Sequence, residues 1–166
     1  MNDHLPGPPH IRLDPRAGTL DVSGPGLPAV RLERADGAEG AKIDEHVPIG
    51  TREAARLTLT VDGAPARMRP AKGRISRRSY RVDAKVGGAR YRLVPCSYGD
   101  SKLLKNGRKL GELDSTGDGK VAADWDENAK VLAQDVAVGT ALAAAFGTGA
   151  SPWWETTLDV ISELIP

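Results

Sequence analysis

Between residues 56 and 125 apolar and polar positions alternate with a period of two, the spacing that sends successive side chains to opposite faces of a β-strand. "RLTLTV" puts Leu57, Leu59 and Val61 on one face, and Asp62-Gly63 follows as a hairpin turn signal. Tyr80, Val82, Ala84 and Val86 repeat the alternation up to Gly87-Gly88, and Ala89, Tyr91 and Leu93 resume it beyond. "SKLLKNGRKLGEL" comes next, with Asn106-Gly107 as the best two-residue turn signal in the chain, because both residue types tolerate positive φ. Together these runs predict an antiparallel meander over residues 57–125. The first 56 residues are less regular. "HIRL", "LDV" and "AVRLER" read as short strands between Gly- and Pro-containing turns, and residues 35–50 as a mobile loop.

One stretch inside the meander imitates a calcium loop. "DSTGDGKVAADWDE" places Asp114, Thr116 and Asp118 at alternate positions, then Gly119 and Val121. A helix–loop–helix calcium site also needs flanking helices and an acid at position twelve, where this chain has Trp125. The turn-rich "STGDG" and the alternating "KVAADW" instead predict a hairpin without a metal site.

The C-terminal third changes character. "AKVLAQDVAVGTALAAAFG", residues 129–147, carries only Lys130 and Asp135 as charges. It predicts a helix over 126–147, capped by Asp126 or Asn128 and ended by Gly147 and Gly149. Being apolar nearly all round, it must be buried on most faces. Its uncharged stretch is mostly Ala and Gly and too short for a membrane span, so no transmembrane segment is expected. Small side chains suit a narrow tunnel inside a wrapped sheet. "SPWWETTLDVISELIP" then predicts a short amphipathic helix over 151–166. The fold class expected is α+β: an antiparallel β-meander closing into a barrel around a buried apolar C-terminal helix, with a terminal amphipathic helix, in a single domain spanning 1–166.

That arrangement, carried by "KLLKNGRKLGEL", "KVAADW" and "DVAVGTALAAAFG", resembles the tubby C-terminal-like superfamily, which includes the LURP-one-related proteins and the phospholipid scramblases. The likeness covers residues 74–150. It implies a closed antiparallel barrel around a central hydrophobic helix. The N-terminal half offers fewer clear strands than a twelve-stranded barrel requires. Tubby-like domains bind phosphoinositides through basic surface residues, and scramblases are associated with lipid movement, so the resemblance implies an anionic lipid ligand. No phosphoinositide ligand of that family aligns residue by residue here; the local candidates are the basic residues between Arg67 and Arg92.

Charge sharpens this. The net charge of +1 conceals three zones: net −3 over 1–66, +12 over 67–110 and −8 over 111–166. "RMRPAKGRISRRSYR" holds Arg67, Arg69, Lys72, Arg74, Arg77, Arg78 and Arg81 with no acid among them. These are the candidate anion-binding residues, with Arg77 and Arg81 expected to point outward and Tyr80 and Val82 inward. The competing expectation is that they pair with the acidic residues of 111–166.

Catalytic chemistry finds no anchor. His4, His10 and His46 sit in the irregular N-terminal third without metal-ligand spacing, and the sequence contains neither GxSxG nor a phosphate-binding GxxxxGK[ST]. Cys96 in "VPCSYG" reads as a buried structural cysteine. One cysteine excludes an intrachain disulfide and fits a reducing, cytoplasmic setting; "MNDHLPGPPH" has no secretory pattern. The expected function is a non-enzymatic binding module without cofactor, whose partner is an anionic lipid surface, a nucleic acid or a protein. The alternative is a barrel with a small-molecule or catalytic cavity, and the position of the long helix separates the two.

Overall fold

The computed structural model of the chain describes residues 7–35, 43–44, 47–71, 80–96 and 100–147. Among them, ten strands form one antiparallel sheet in sequence order. They are β1 (His10–Asp14), β2 (Thr19–Ser23), β3 (Val30–Arg34), β4 (Leu57–Val61), β5 (Ala64–Pro70), β6 (Val82–Val86), β7 (Ala89–Pro95), β8 (Asp100–Lys105), β9 (Arg108–Ser115) and β10 (Val121–Trp125). One helix, α1 (Ala133–Phe146), follows.

The alternation read from the sequence sets the pleat. Leu20, Leu32, Leu59, Leu93, Leu103 and Leu113 face inward and are at most 2% exposed. Asp62 and Gly63 both adopt positive φ, as do Asn106 and Gly107, which matches the turn to the right-handed twist of the strands it joins. "DSTGDGKVAADW" forms the β9–β10 hairpin, with Val121 paired to Ser115 and Trp125 to Gly111. Inside its turn the Asp118 carboxylate accepts from Thr116 Oγ1 and from the Lys120 N–H.

The helix occupies the interior. Every residue from Asp135 to Phe146 is buried, and α1 packs against β1, β2 and β3 on one side and β7, β8, β9 and β10 on the other. Small residues make this possible: a Cβ on Gly139 would lie 2.5 Å from Leu103 Cδ2. Fully burying Leu142 or Phe146 contributes about 1.5–3 kcal/mol each.

Three expectations are corrected. The sheet curls around α1 but does not close into a barrel, since the hydrogen-bonded order begins at β1 and ends at β10. The two edges approach at Leu13, whose Cβ lies 3.3 Å from where a Gly119 Cβ would stand. Continued antiparallel from that contact, β1 and β10 would set Arg12 across from Lys120 and Asp14 across from Asp118, and like charges directly opposite oppose pairing. The helix begins at Ala133 rather than 126, because residues 126–132 turn first, with the Ala129 N–H donating to the Asp126 carbonyl. The carboxylate that satisfies its first turn is Asp135, which accepts from the Leu132 N–H at 2.9 Å. Finally, within the loop expected over 35–50, Val47 and Ile49 are core residues, 2% and 0% exposed. The Ile49 N–H donates to the Ala145 carbonyl at 3.0 Å, so this segment plugs the C-terminal end of α1. The amphipathic helix expected over 151–166 lies outside the described residues.

Candidate anion-binding face

The middle strands carry the basic zone on their outward side. Arg67 and Arg69 are exposed on β5, and Arg81 is exposed just before β6. Lys72, Arg74, Arg77 and Arg78 lie outside the described residues. Pairing brings further cations beside them: Arg67 is opposite Lys85 on β6, and Lys85 is opposite Arg90 on β7. Adjacent strands lie about 4.8 Å apart, so this row of three cations spans roughly 10 Å.

Neighbouring rows alternate in sign. Arg69, Asp83 and Arg92 form the next row. Asp83 accepts from Arg92 Nε at 2.6 Å and lies 3.7 Å from Arg81 Nε. This carboxylate pushes the Arg92 pKa above its ordinary value. On the N-terminal half of the sheet, Arg31 sits between Asp21 at 2.8 Å and Glu33 at 2.5 Å. Among the described residues, no carboxylate pairs with Arg67, Lys85 or Arg90. Like charges directly opposite cost about 0.2–1 kcal/mol per pair. Like charges also face each other at Asp100–Asp114, Lys105–Arg108 and Glu112–Asp124, and here three cations stand in one row.

Among the described residues, the acidic C-terminal zone makes no ion pair with Arg67, Arg69 or Arg81, the three described candidates. Its ion pairs go to Lys105, Lys109 and Lys120, through Asp135, through Glu112 and Asp126, and through Asp118 respectively. Lys85, Arg90 and Arg92 were missing from the seven candidates. The signal was present, since the Gly87-Gly88 turn fixes Lys85 opposite Arg90.

A buried guanidinium fixes this face to the helix. Arg52 is 8% exposed. Its Nε donates to the Ala71 carbonyl at 2.8 Å and its Nη2 to the Tyr80 carbonyl at 2.5 Å. The Tyr80 and Phe146 rings flank it at 5.4 Å each. Arg52 thereby ties Ala71 and Tyr80, beside the Ala71–Arg81 backbone hydrogen bond, to the last residue of α1. Burial pulls its pKa down to about 10, which leaves it charged at neutral pH.

At the other end of α1, the fully buried Asp135 accepts from Tyr91 Oη at 2.6 Å and from Lys105 Nζ at 2.8 Å. Gln134 Nε2 donates to Tyr91 Oη at 3.1 Å. A carboxylate at the N-terminus and guanidinium at the C-terminus oppose the helix dipole at both ends. This network is enclosed in packing, and it orients the helix.

Cys96 is exposed, contrary to the expected burial, and its thiol donates to the Asp100 carbonyl at 3.4 Å. Partial burial, then the Glu112 charge, push its pKa up, the reverse of nucleophile activation. Among the described residues no group of His, Cys, Asp and Glu could hold a metal ion, and no described helix is long and apolar enough to cross a membrane. Comparison with protein-family models, curated proteins and solved structures finds no match.

Proposed function

We propose that this protein is a non-enzymatic binding module that docks on anionic lipid head groups through the outward face of β5–β7. The observation that carries the reading is the unneutralised row Arg67, Lys85 and Arg90, with Arg69, Arg81 and Arg92 beside it around a single Asp83. A phosphate-bearing surface supplies the charge this face lacks. Lys72, Arg74, Arg77 and Arg78, which lie outside the described residues, remain candidates from the sequence. The helix that fills the interior supports an exterior function over the alternative of a small-molecule or catalytic cavity.

Lipid is favoured over nucleic acid because the described outward residues of β5–β7 include no aromatic ring, and binding to single strands relies on such rings to stack bases. Placement in the tubby C-terminal-like superfamily belongs to the same proposal. It draws support from the apolar helix inside an antiparallel sheet and departs from that family in the open seam.

The test is co-sedimentation with phosphatidylcholine vesicles with and without phosphatidylserine, at low and high salt. Each basic residue near an anionic leaflet contributes about 1 kcal/mol. Arg67→Glu, Lys85→Glu and Arg90→Glu together should therefore weaken binding by about 100-fold or more, with the melting temperature retained. Salt should weaken wild-type binding in the same direction. Retention on oligonucleotides but not on anionic vesicles would transfer the face to nucleic acid.

A further inference from the structure

The inward faces of the two edge strands are only partly covered. Ile11 and Leu13 on β1 and Val121 and Trp125 on β10 are half-buried and Ala123 is exposed, whereas Leu20, Leu32, Leu59, Leu93, Leu103 and Leu113 on the strands between are at most 2% exposed. Among the described residues, no strand pairs with the outer line of backbone N–H and C=O groups of β1 or of β10. Natural sheets protect such edges with lysine, proline or a bulge. The β10 sequence "VAADW" contains neither lysine nor proline, and its single charge is Asp124.

The edges are complementary in one antiparallel register. Setting Arg12 opposite Asp124 also sets His10 opposite Asp126, Ile11 opposite Trp125 and Leu13 opposite Ala123. On the outward face Arg12 then meets the Asp124 carboxylate and the His10 ring faces Asp126, and apolar side chains meet on the inward face. This register is not the one in which β1 and β10 of a single chain approach. Their own contact, Leu13 with Gly119, lies four residues away and opposes like charges.

We propose that β1 of one copy pairs with β10 of a second copy in the Arg12–Asp124 register, extending the sheet between molecules. The contact is heterologous, so each addition leaves one β1 and one β10 free, and the assembly grows as an open series. Edges of five residues bury little area, so association is weak and concentration-dependent.

Two measurements on the full chain decide it. In a Cys96→Ser background, Leu13→Cys and Ala123→Cys are made in separate proteins and mixed under mild oxidation. A mixed disulfide dimer should exceed the dimer of either variant alone. Equal or greater homodimer overturns the register. A chain carrying both cysteines that closes an internal disulfide instead overturns the proposal in favour of barrel closure. Sedimentation equilibrium at low salt provides the second reading. Arg12→Asp or Asp124→Arg should each weaken association about tenfold, and mixing the two should restore it, because both contacts between unlike variants are then complementary. A wild-type chain that stays monomeric at high concentration contradicts the proposal.

Discussion

Gly111 shows how little room the β9–β10 pairing leaves. A Cβ there would stand 2.5 Å from the Asp124 carbonyl oxygen and 2.9 Å from Trp125 Cα, both backbone atoms with no rotamer to change. Gly111→Ala should cost about 1–3 kcal/mol. For a chain of this size that lowers the melting temperature by about 2–4 °C per kcal/mol, and an unchanged midpoint would contradict the packing. Tyr91 makes the second residue-scale prediction. Burial, then the hydrogen bond to Asp135, raise its pKa above the ordinary 10.0, so the folded chain keeps a proton that the unfolded chain releases. That contribution is present below the ordinary value and is lost as pH rises beyond it. Tyr91→Phe should therefore show a shallower fall in melting temperature than wild type between about pH 9 and about pH 11. Parallel curves would place the phenol in solvent. The sequence marked Asp135 as one of two charges in an apolar run, but its partners Tyr91 and Lys105 come from other strands, and no local spacing announces them.

At the scale of elements, the strands were legible because one face of an antiparallel sheet packs on a core, which forces apolar and polar residues to alternate. β4, β6 and β7 fall where that alternation put them, and the Asp62-Gly63 and Asn106-Gly107 turns join the strands they should. The start of α1 was misread for the opposite reason. A helix buried on every face has no polar stripe to phase it, so Asp126 and Asn128 looked suitable for capping and Asp135 was not considered. Residues 47–50 were read as loop because two apolar positions, Val47 and Ile49, are too few to show a period. The helix itself yields a direct prediction. Ala144 is fully buried, and an unpaired carboxylate there costs several kcal/mol. Ala144→Asp should abolish the cooperative melt and the near-ultraviolet signal; a variant with an unchanged midpoint would place the helix outside the sheet.

Over the whole molecule, the +12 segment supplies Arg67, Arg69, Arg81, Lys85, Arg90 and Arg92 to the outward side of β5–β7, where hairpin register stacks Arg67, Lys85 and Arg90 across three strands. The acidic third instead supplies Asp135 to hold the helix and Glu112 and Asp126 to hold Lys109. Charge zoning was visible in the sequence; barrel closure was not, since it depends on how β1 and β10 meet across the helix. The claim that arrangement rather than net charge makes the binding face is tested by two variants of equal charge change. One reverses Arg67, Lys85 and Arg90 to Glu. The other reverses Arg16, Arg108 and Lys130, which are exposed elsewhere. Vesicle binding should be lost in the first and largely kept in the second, with both folded. Equal loss in the two would mean that the protein meets anionic surfaces through its overall charge and that the β5–β7 row has no special part.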